Sequence, residues 1–129
     1  MADATFSLTK LVVADLDRAS AFYQSVCGFT EGQRIDAVVF GRKMTEIIME
    51  TSAKGAAMFV LMAYEDAPQP ATGETVLGFF TDDIDAFVNR ASQAGGQVLQ
   101  PPYAIADLGL KVAFVGDPEG HVVEVLQRI

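Results

Sequence analysis

The sequence has few of the residues that usually carry redox or metal chemistry. It contains one cysteine, Cys27, and one histidine, His121, in 129 residues. A single cysteine cannot form a disulfide within the chain, which agrees with a reducing compartment. Cys27 lies in an apolar stretch with no histidine or lysine close to it in sequence. We therefore expect a buried, structural thiol rather than a reactive one.

Basic residues and long apolar segments are also scarce. Nine Lys and Arg stand against seventeen Asp and Glu, which gives a net charge of −8. This balance disfavours nucleic acid and anionic membranes as partners and favours a cationic ligand, although solubility alone also explains it. No apolar run approaches the roughly 18 residues that span a bilayer, and the first residues do not resemble a signal peptide. We expect a cytoplasmic protein that binds neither nucleic acid nor membrane.

The composition that remains is that of a globular protein. Apolar residues make up 50% of the chain and charged residues 20%. A chain of this length can bury roughly 65 to 70% of its unfolded surface without disulfides or metals. We therefore expect a single domain over residues 1–129.

The apolar periodicity predicts the order βαβββ twice. The first module, residues 5–65, should contain a helix that begins after Asp15 and ends at Gly28. The second module, residues 74–129, repeats the signals, because Asp83 and Gly96 follow Asp15 and Gly28 at the same shift, 83 − 15 = 96 − 28 = 68. The segment 65–73, with two prolines, reads as a linker. The expected strands lie near residues 6–14, 30–40, 43–51, 56–64, 75–81, 97–100, 110–115 and 121–127.

Two features of the second module are of functional interest. A loop is predicted between residues 100 and 110, and Tyr103 in it is a candidate for a lid. Residues 117–121, Asp-Pro-Glu-Gly-His, predict a tight turn into the last strand. In that strand Glu124 lies among Val and Leu, and a carboxylate there is costly unless it faces water, a cation or a hydrogen-bond donor.

These motifs together resemble the vicinal oxygen chelate superfamily, which includes glyoxalase I, bleomycin-resistance proteins and extradiol dioxygenases. The resemblance rests on residues 11–23, 27–29, 82–85, 94–96 and 117–121. It implies an α+β fold in which two βαβββ modules form a curved mixed sheet around a pocket, commonly in a homodimer. Enzymes of the family bind one divalent metal through His, Gln or Glu on the first and last strands of each module.

The metal-binding positions carry over poorly to this sequence. The first-strand positions, seven residues before the helix-capping aspartates, fall on Leu8 and Val76, and the last-strand positions fall on Leu61 and Glu124. Only Glu124 is a plausible ligand. A shift of one residue brings in Ser7, Thr9, Thr75, Leu77, Val60 or Met62, which are also poor ligands. We therefore expect no metal or other cofactor, and we place His121 at the surface or at the strand entry.

Three alternatives are open for Glu124. It pairs with Lys10, it binds a ligand or acts as a base, or it is solvated on an outer face. The residues expected to line the pocket, with core packing as the simpler role for most of them, are Leu8, Lys10, Phe59, Leu61, Val76, Phe80, Tyr103, Phe114 and Glu124.

The resemblance therefore favours a metal-independent glyoxalase- or bleomycin-resistance-like homodimer that binds a mostly apolar small molecule, cationic or aromatic. The alternative is a glyoxalase- or dioxygenase-type enzyme, a lyase or isomerase, in which Glu124 is a metal ligand or a general base. A protein-interaction module is the third possibility.

Overall fold

The computed structural model describes residues 3, 6–51, 53, 55–66, 72 and 75–129. Its helices and strands alternate in the predicted order, and the α+β class and the repeated βαβββ pattern are confirmed. The elements are β1 (Leu8–Val12), α1 (Leu16–Cys27), β2 (Thr30–Val39), β3 (Arg42–Glu50), β4 (Met58–Tyr64), β5 (Val76–Phe80), α2 (Ile84–Gln93), β6 (Gln97–Ile105), a short 3-10 turn (Ala106–Leu108), β7 (Leu110–Gly116) and β8 (Val122–Arg128).

The strands form two four-stranded mixed sheets with the same topology. The order is β1-β4-β3-β2 in the first sheet and β5-β8-β7-β6 in the second. In each sheet the first strand of the module runs parallel to the last one, and the other neighbours are antiparallel. The repeat in the sequence is therefore a repeat of strand pairing. No helix of the described residues is long and apolar enough to span a membrane.

The chain forms two compact units that do not coincide with two continuous stretches of sequence. The first unit contains residues 1–20 and 28–70, and the second contains residues 21–27 and 71–129. The second half of α1 thus belongs to the second unit, where the Tyr23 hydroxyl donates to Asp117 Oδ2 at 2.9 Å. Nearby, Arg90 donates to the Val26 carbonyl at 3.2 Å. Most of the predicted linker, residues 67–71 and 73, lies outside the described residues, so the module boundaries stay a prediction.

Most of the core of the first unit lies on one face of its sheet, where alternate residues of each strand point to the same side. The buried side chains of this face are Leu11, Val13, Ile47, Met49, Phe59 and Leu61. Ser20 of α1 is also buried, with its hydroxyl 4.0 Å from the sulfur of Met49. The opposite face buries Met44, Val60 and Met62 but is open at its edge, where Leu8 and Met58 are exposed.

The core of the second unit lies between α2 and its sheet. Helix α2 begins where Asp83 accepts a hydrogen bond from the backbone of Ala86, and it buries Ile84, Phe87, Val88 and Ala91. The sheet residues on this side, Ala113, Val115, Val123 and Val125, are fully buried. Phe79 adds an aromatic contact, in which the centroid of its ring lies 6.1 Å from that of Phe87.

The predicted loop between residues 100 and 110 is wrong over most of its length. Strand β6 continues through Pro101 and Pro102 to Ile105. Its pairing with β7 is irregular between Val98 and Tyr103. Because β6 is an edge strand, its prolines do not interrupt a central hydrogen-bond ladder. Tyr103 therefore belongs to a strand rather than to a lid, and its Cα partner is Val112.

Candidate functional site

The side chain of Glu124 lies in the middle of the sheet face that points away from α2. Its Cα partners are Gly78 on β5 and Phe114 on β7. Val76 and Phe80 flank Gly78 on the same side, because strand residues two apart share a face. We call this surface, defined by Val76, Gly78, Phe80, Phe114 and Glu124, the open face of the second sheet.

Most of the open face is apolar and accessible. Val76 is 53% exposed and Phe80 56% exposed. Tyr103 is opposite Val112, which shares the side of Phe114, so it extends this surface toward the edge strand. Five of the nine predicted pocket residues are thus brought to one side of one sheet. The register of β5, β7 and β8 decides this placement.

The carboxylate of Glu124 is half-buried in this apolar setting. Within the part of the chain that the structure describes, its side chain has no hydrogen bond or ion pair. Space is available beside it, because a Cβ added at Gly78 would meet no atom within 4 Å. A carboxylate partly removed from water and without a donor is stabilised by a cation or an N–H or O–H group from a ligand.

Lys10 does not pair with Glu124, which was one of the three alternatives drawn from the sequence. Its Nζ donates to Glu46 Oε2 at 2.9 Å. Lys10 is opposite Val60 on β4 and Glu46 is opposite Met62, so the two charged residues flank β4 on one face of the first sheet. The pairing of Lys10 with Glu124 is therefore replaced by a pair within the first unit. Sequence reasoning missed Glu46 because strand adjacency joins residues that are 36 positions apart.

Phe59 and Leu61 lie on the wrong side of β4 for the role predicted for them. Leu8 pairs with Met58 and Lys10 pairs with Val60, whereas Phe59 and Leu61 pair with Thr9 and Leu11. Their side chains are in the core, with 6% and 0% exposure. A shift of one residue in a strand exchanges its two faces. The β4 side chains that share a face with Leu8 and Lys10 are those of Met58, Val60 and Met62.

The donor set does not fit a divalent metal. The first sheet offers Leu8 with Val60 or Met62 at the corresponding positions, and the second offers Val76 with Glu124. Aliphatic side chains are not ligands, and a thioether does not suit the metals that prefer carboxylate and imidazole. In the described ranges, no group of three or more His, Cys, Asp or Glu side chains could hold a metal ion.

The turn before β8 is held together by the buried carboxylate of Asp117. Its Oδ1 accepts from the backbone N–H groups of Glu119 and His121 at 2.9 Å, and its Oδ2 accepts from Tyr23. The ring Nδ1 of His121 lies 2.9 and 3.0 Å from the two oxygens, and it carries the hydrogen because an ionised carboxylate only accepts. His121 is 6% exposed, so the expected surface position is wrong. The expected place at the strand entry is correct.

The pKa values around this turn reflect burial and its compensation. Burial raises the pKa of Asp117, but the hydrogen bonds and charge of His121, with the Tyr23 hydroxyl, outweigh it and hold the pKa below its ordinary value. The pKa of Tyr23 is raised by burial and by the adjacent Asp117 carboxylate. Both groups are therefore locked in one protonation state near neutral pH, which suits a structural role.

Comparisons with known proteins agree with this architecture. The family model described as Glyoxalase/Bleomycin resistance protein/Dioxygenase superfamily matches residues 5–125. The chain is 28% identical over 119 residues to lactoylglutathione lyase GLX1 of Arabidopsis thaliana, and this match covers 90% of this chain and 41% of that protein. It is 27% identical over 123 residues to a protein of Vibrio cholerae described as a probable lactoylglutathione lyase, covering 93% and 88% respectively.

Solved structures show the same fold at lower identity. A glyoxalase family protein from Bacillus cereus superposes with a TM-score of 0.84 at 17% identity, covering 100% of this chain and 99% of that one. A glyoxalase I mutant from Zea mays gives a TM-score of 0.79 at 22% identity, covering 94% and 45%. The chain spans less than half the length of the Arabidopsis and maize proteins. The family model covers nearly the whole sequence, and the chain therefore belongs to the Glyoxalase/Bleomycin resistance protein/Dioxygenase superfamily.

Proposed function

We propose that this protein binds a mostly apolar small molecule, cationic or aromatic, on the open face of the second sheet, and that it does so without a bound metal. The observation that carries the proposal is the half-buried carboxylate of Glu124, without a partner among the described residues, beside the space left by Gly78. Exposed Val76 and Phe80 supply apolar area for the body of a ligand. The carboxylate supplies orientation through charge or a hydrogen bond.

Metal independence is supported by the side chains at the family's ligand positions. Only Glu124 among them could coordinate a divalent ion, and one carboxylate does not make a stable site. Elemental analysis of protein purified without a chelator checks this directly. A stoichiometric divalent ion in that protein would contradict the proposal.

The ligand proposal can be tested with benzyltrimethylammonium, which combines a cation with an aromatic ring. We expect it to raise the thermal unfolding temperature of the parent protein and to have no such effect on Glu124→Gln, because the amide keeps the shape but removes the charge. Glu50→Gln is the matched control, since Glu50 is an exposed glutamate on β3 of the first sheet. An equal response of the parent and Glu124→Gln would count against Glu124 as the binding group.

A second candidate function is that of a glyoxalase-type enzyme, a lyase or isomerase in which Glu124 is a general base or a metal ligand. It is favoured by the names of two relatives, lactoylglutathione lyase GLX1 of Arabidopsis thaliana and a protein of Vibrio cholerae described as a probable lactoylglutathione lyase. In this case lactoylglutathione lyase activity of the parent should be lost in Glu124→Ala. Stimulation of the parent by added Ni²⁺ or Zn²⁺ would indicate the ligand role, and activity that is indifferent to both ions would indicate the base.

A homodimer and a cytoplasmic location are further parts of the proposal. The dimer is supported by the resemblance to the family, and light scattering should give about twice the chain mass of 13.8 kDa. The location is supported by the single cysteine, which needs no oxidising compartment. A chain mass in solution equal to the monomer at micromolar concentration would contradict the dimer.

A further inference from the structure

A second polar feature lies at one end of the open face of the second sheet. An open cleft of about 420 Å³ is lined by Phe80, Thr81, Asp82, Gln127 and Arg128. A volume of this size lies within the range of small-molecule sites, roughly 300 to 1,000 Å³. Residues 124 and 128 are four apart on β8 and so share a face, with their Cα atoms about 13 Å apart. The cleft and Glu124 are thus two ends of one surface.

Two of the polar residues in the cleft are engaged with the protein itself. Gln127 Oε1 accepts from the backbone N–H of Ile84 at 2.8 Å, which ties β8 to the start of α2. The Thr81 hydroxyl accepts from the backbone N–H of Asp83 at 3.3 Å. These bonds fix the wall of the cleft. They leave Asp82 and Arg128 as the two charged groups that line it.

The guanidinium of Arg128 is held in place without a carboxylate. Its central carbon lies 4.0 Å from the centre of the Phe80 ring, a cation–π contact. No ion pair of Arg128 occurs among the described residues, and its neighbour Asp82 has none there either. Opposite charges therefore line the same cleft without contacting each other. The guanidinium group of Arg128, stacked on Phe80, has N–H donors available for a carboxylate.

We propose that this cleft binds the charged end of a zwitterionic small molecule, with a ligand carboxylate on Arg128 and a ligand ammonium on Asp82. A simple anion is the less suitable ligand, because Asp82 lies in the same cleft and the chain has a net charge of −8. A zwitterion avoids this repulsion and uses both charges. The inference rests on the proposed function in one respect, namely that the uncharged part of the ligand extends along the open face toward Glu124.

L-tryptophan and two analogues test the inference, because each analogue lacks one charge. Indole-3-propionate has no ammonium, and tryptamine has no carboxylate. We expect L-tryptophan to bind about tenfold more tightly than either analogue, measured by NMR titration of the ¹⁵N-labelled protein. The largest shifts should fall on Phe80, Asp82 and Arg128. Equal affinity for L-tryptophan and indole-3-propionate, or no binding of L-tryptophan, would overturn the inference.

Variants assign each charge to its residue. Arg128→Gln should weaken L-tryptophan about tenfold and strengthen tryptamine, whereas Asp82→Asn should weaken L-tryptophan and strengthen indole-3-propionate. Arg18→Gln is the matched control, since Arg18 is an exposed arginine on α1 in the first unit, and it should change nothing. Unchanged L-tryptophan affinity in Arg128→Gln would refute the role of the cleft.

The benzyltrimethylammonium experiment separates the two proposals. Binding of that cation that depends on Glu124, with no binding of L-tryptophan, would overturn the zwitterion cleft and leave the proposed function standing. L-tryptophan binding that depends on Arg128 and Asp82, with no response to benzyltrimethylammonium, would support the cleft and count against Glu124 as a cation site. If neither benzyltrimethylammonium nor L-tryptophan binds, both proposals are contradicted.

Discussion

Two glycines of the second unit should respond in opposite directions to the same added methyl group. Gly96 follows α2, and a Cβ there would lie 2.4 Å from the carbonyl oxygen of Gly116 and 2.9 Å from that of Ala91. It would also lie 2.9 Å from Phe22 Cε2. Two of these three atoms belong to the backbone and cannot rotate away. The helix, the sheet and the second half of α1 all approach each other at this residue.

The expected cost of Gly96→Ala follows from these distances. Overpacking a well-packed site costs about 1 to 3 kcal/mol, and contacts this short with backbone oxygens place the change at about 3 kcal/mol. For a chain of this size, each kcal/mol lowers the unfolding temperature by about 3 to 5 °C, so the loss should be about 10 °C. The strain falls on the folded structure alone, and it outweighs the about 0.4 to 1 kcal/mol of stabilisation that alanine gives by lowering the conformational entropy of the unfolded chain.

Gly78→Ala is the control, because no atom lies within 4 Å of an added Cβ. Glycine inside a strand is less favourable than alanine by roughly 0.5 to 1 kcal/mol, so this variant should be slightly more stable than the parent. Urea unfolding followed by circular dichroism measures both free energies. The packing argument is refuted if Gly96→Ala unfolds like the parent, or if the two variants lose equal stability.

Two further predictions concern titration. The pKa of Asp117 is lower in the folded state than in the unfolded state, where it is about 4. The ionised carboxylate therefore stabilises the fold fully above the unfolded-state pKa. This stabilisation is lost as the pH falls through the folded-state pKa. Asp117→Asn should therefore be less stable than the parent near neutral pH, with a gap in unfolding free energy that narrows below about pH 4; a constant gap would contradict the assignment. Cys27 is half-buried rather than buried as expected, and this burial raises the pKa of its thiol to about 12. Iodoacetamide at about pH 8 should therefore label it roughly a thousandfold more slowly in the folded protein than in urea, and equal rates would show that the thiol is not protected.

Local signals in the sequence were enough to place both helices. Asp15 accepts from the backbone of Arg18 at 3.1 Å, and Asp83 accepts from that of Ala86 at 3.1 Å, as the capping patterns predicted. Gly28 and Gly120 have φ values of 75° and 93°, which only glycine adopts without strain. These features depend on residues a few positions apart, so composition and spacing reveal them.

Contacts between distant residues were beyond the reach of the sequence. The partner of Lys10 is Glu46 rather than Glu124, because β1 and β3 flank β4. Phe59 and Leu61 are core residues, because the register of β1 against β4 assigns them to the other face. Tyr103 is in a strand, because pairing with β7 outweighs the two prolines before it. Each of these outcomes depends on which strands are neighbours and in what register.

Glu124 illustrates what the sequence determines and what the tertiary structure determines. The sequence by itself determined that a carboxylate occupies an apolar strand and that the other ligand positions of the family are aliphatic. Only the tertiary structure decided what surrounds it, because Gly78 and Phe114 are brought beside it by pairing across β5, β8 and β7. The same pairing brings the cleft of Arg128 and Phe80 to one end of its face. Residue types are fixed by the sequence, whereas the free energy of a charge depends on its neighbours in space.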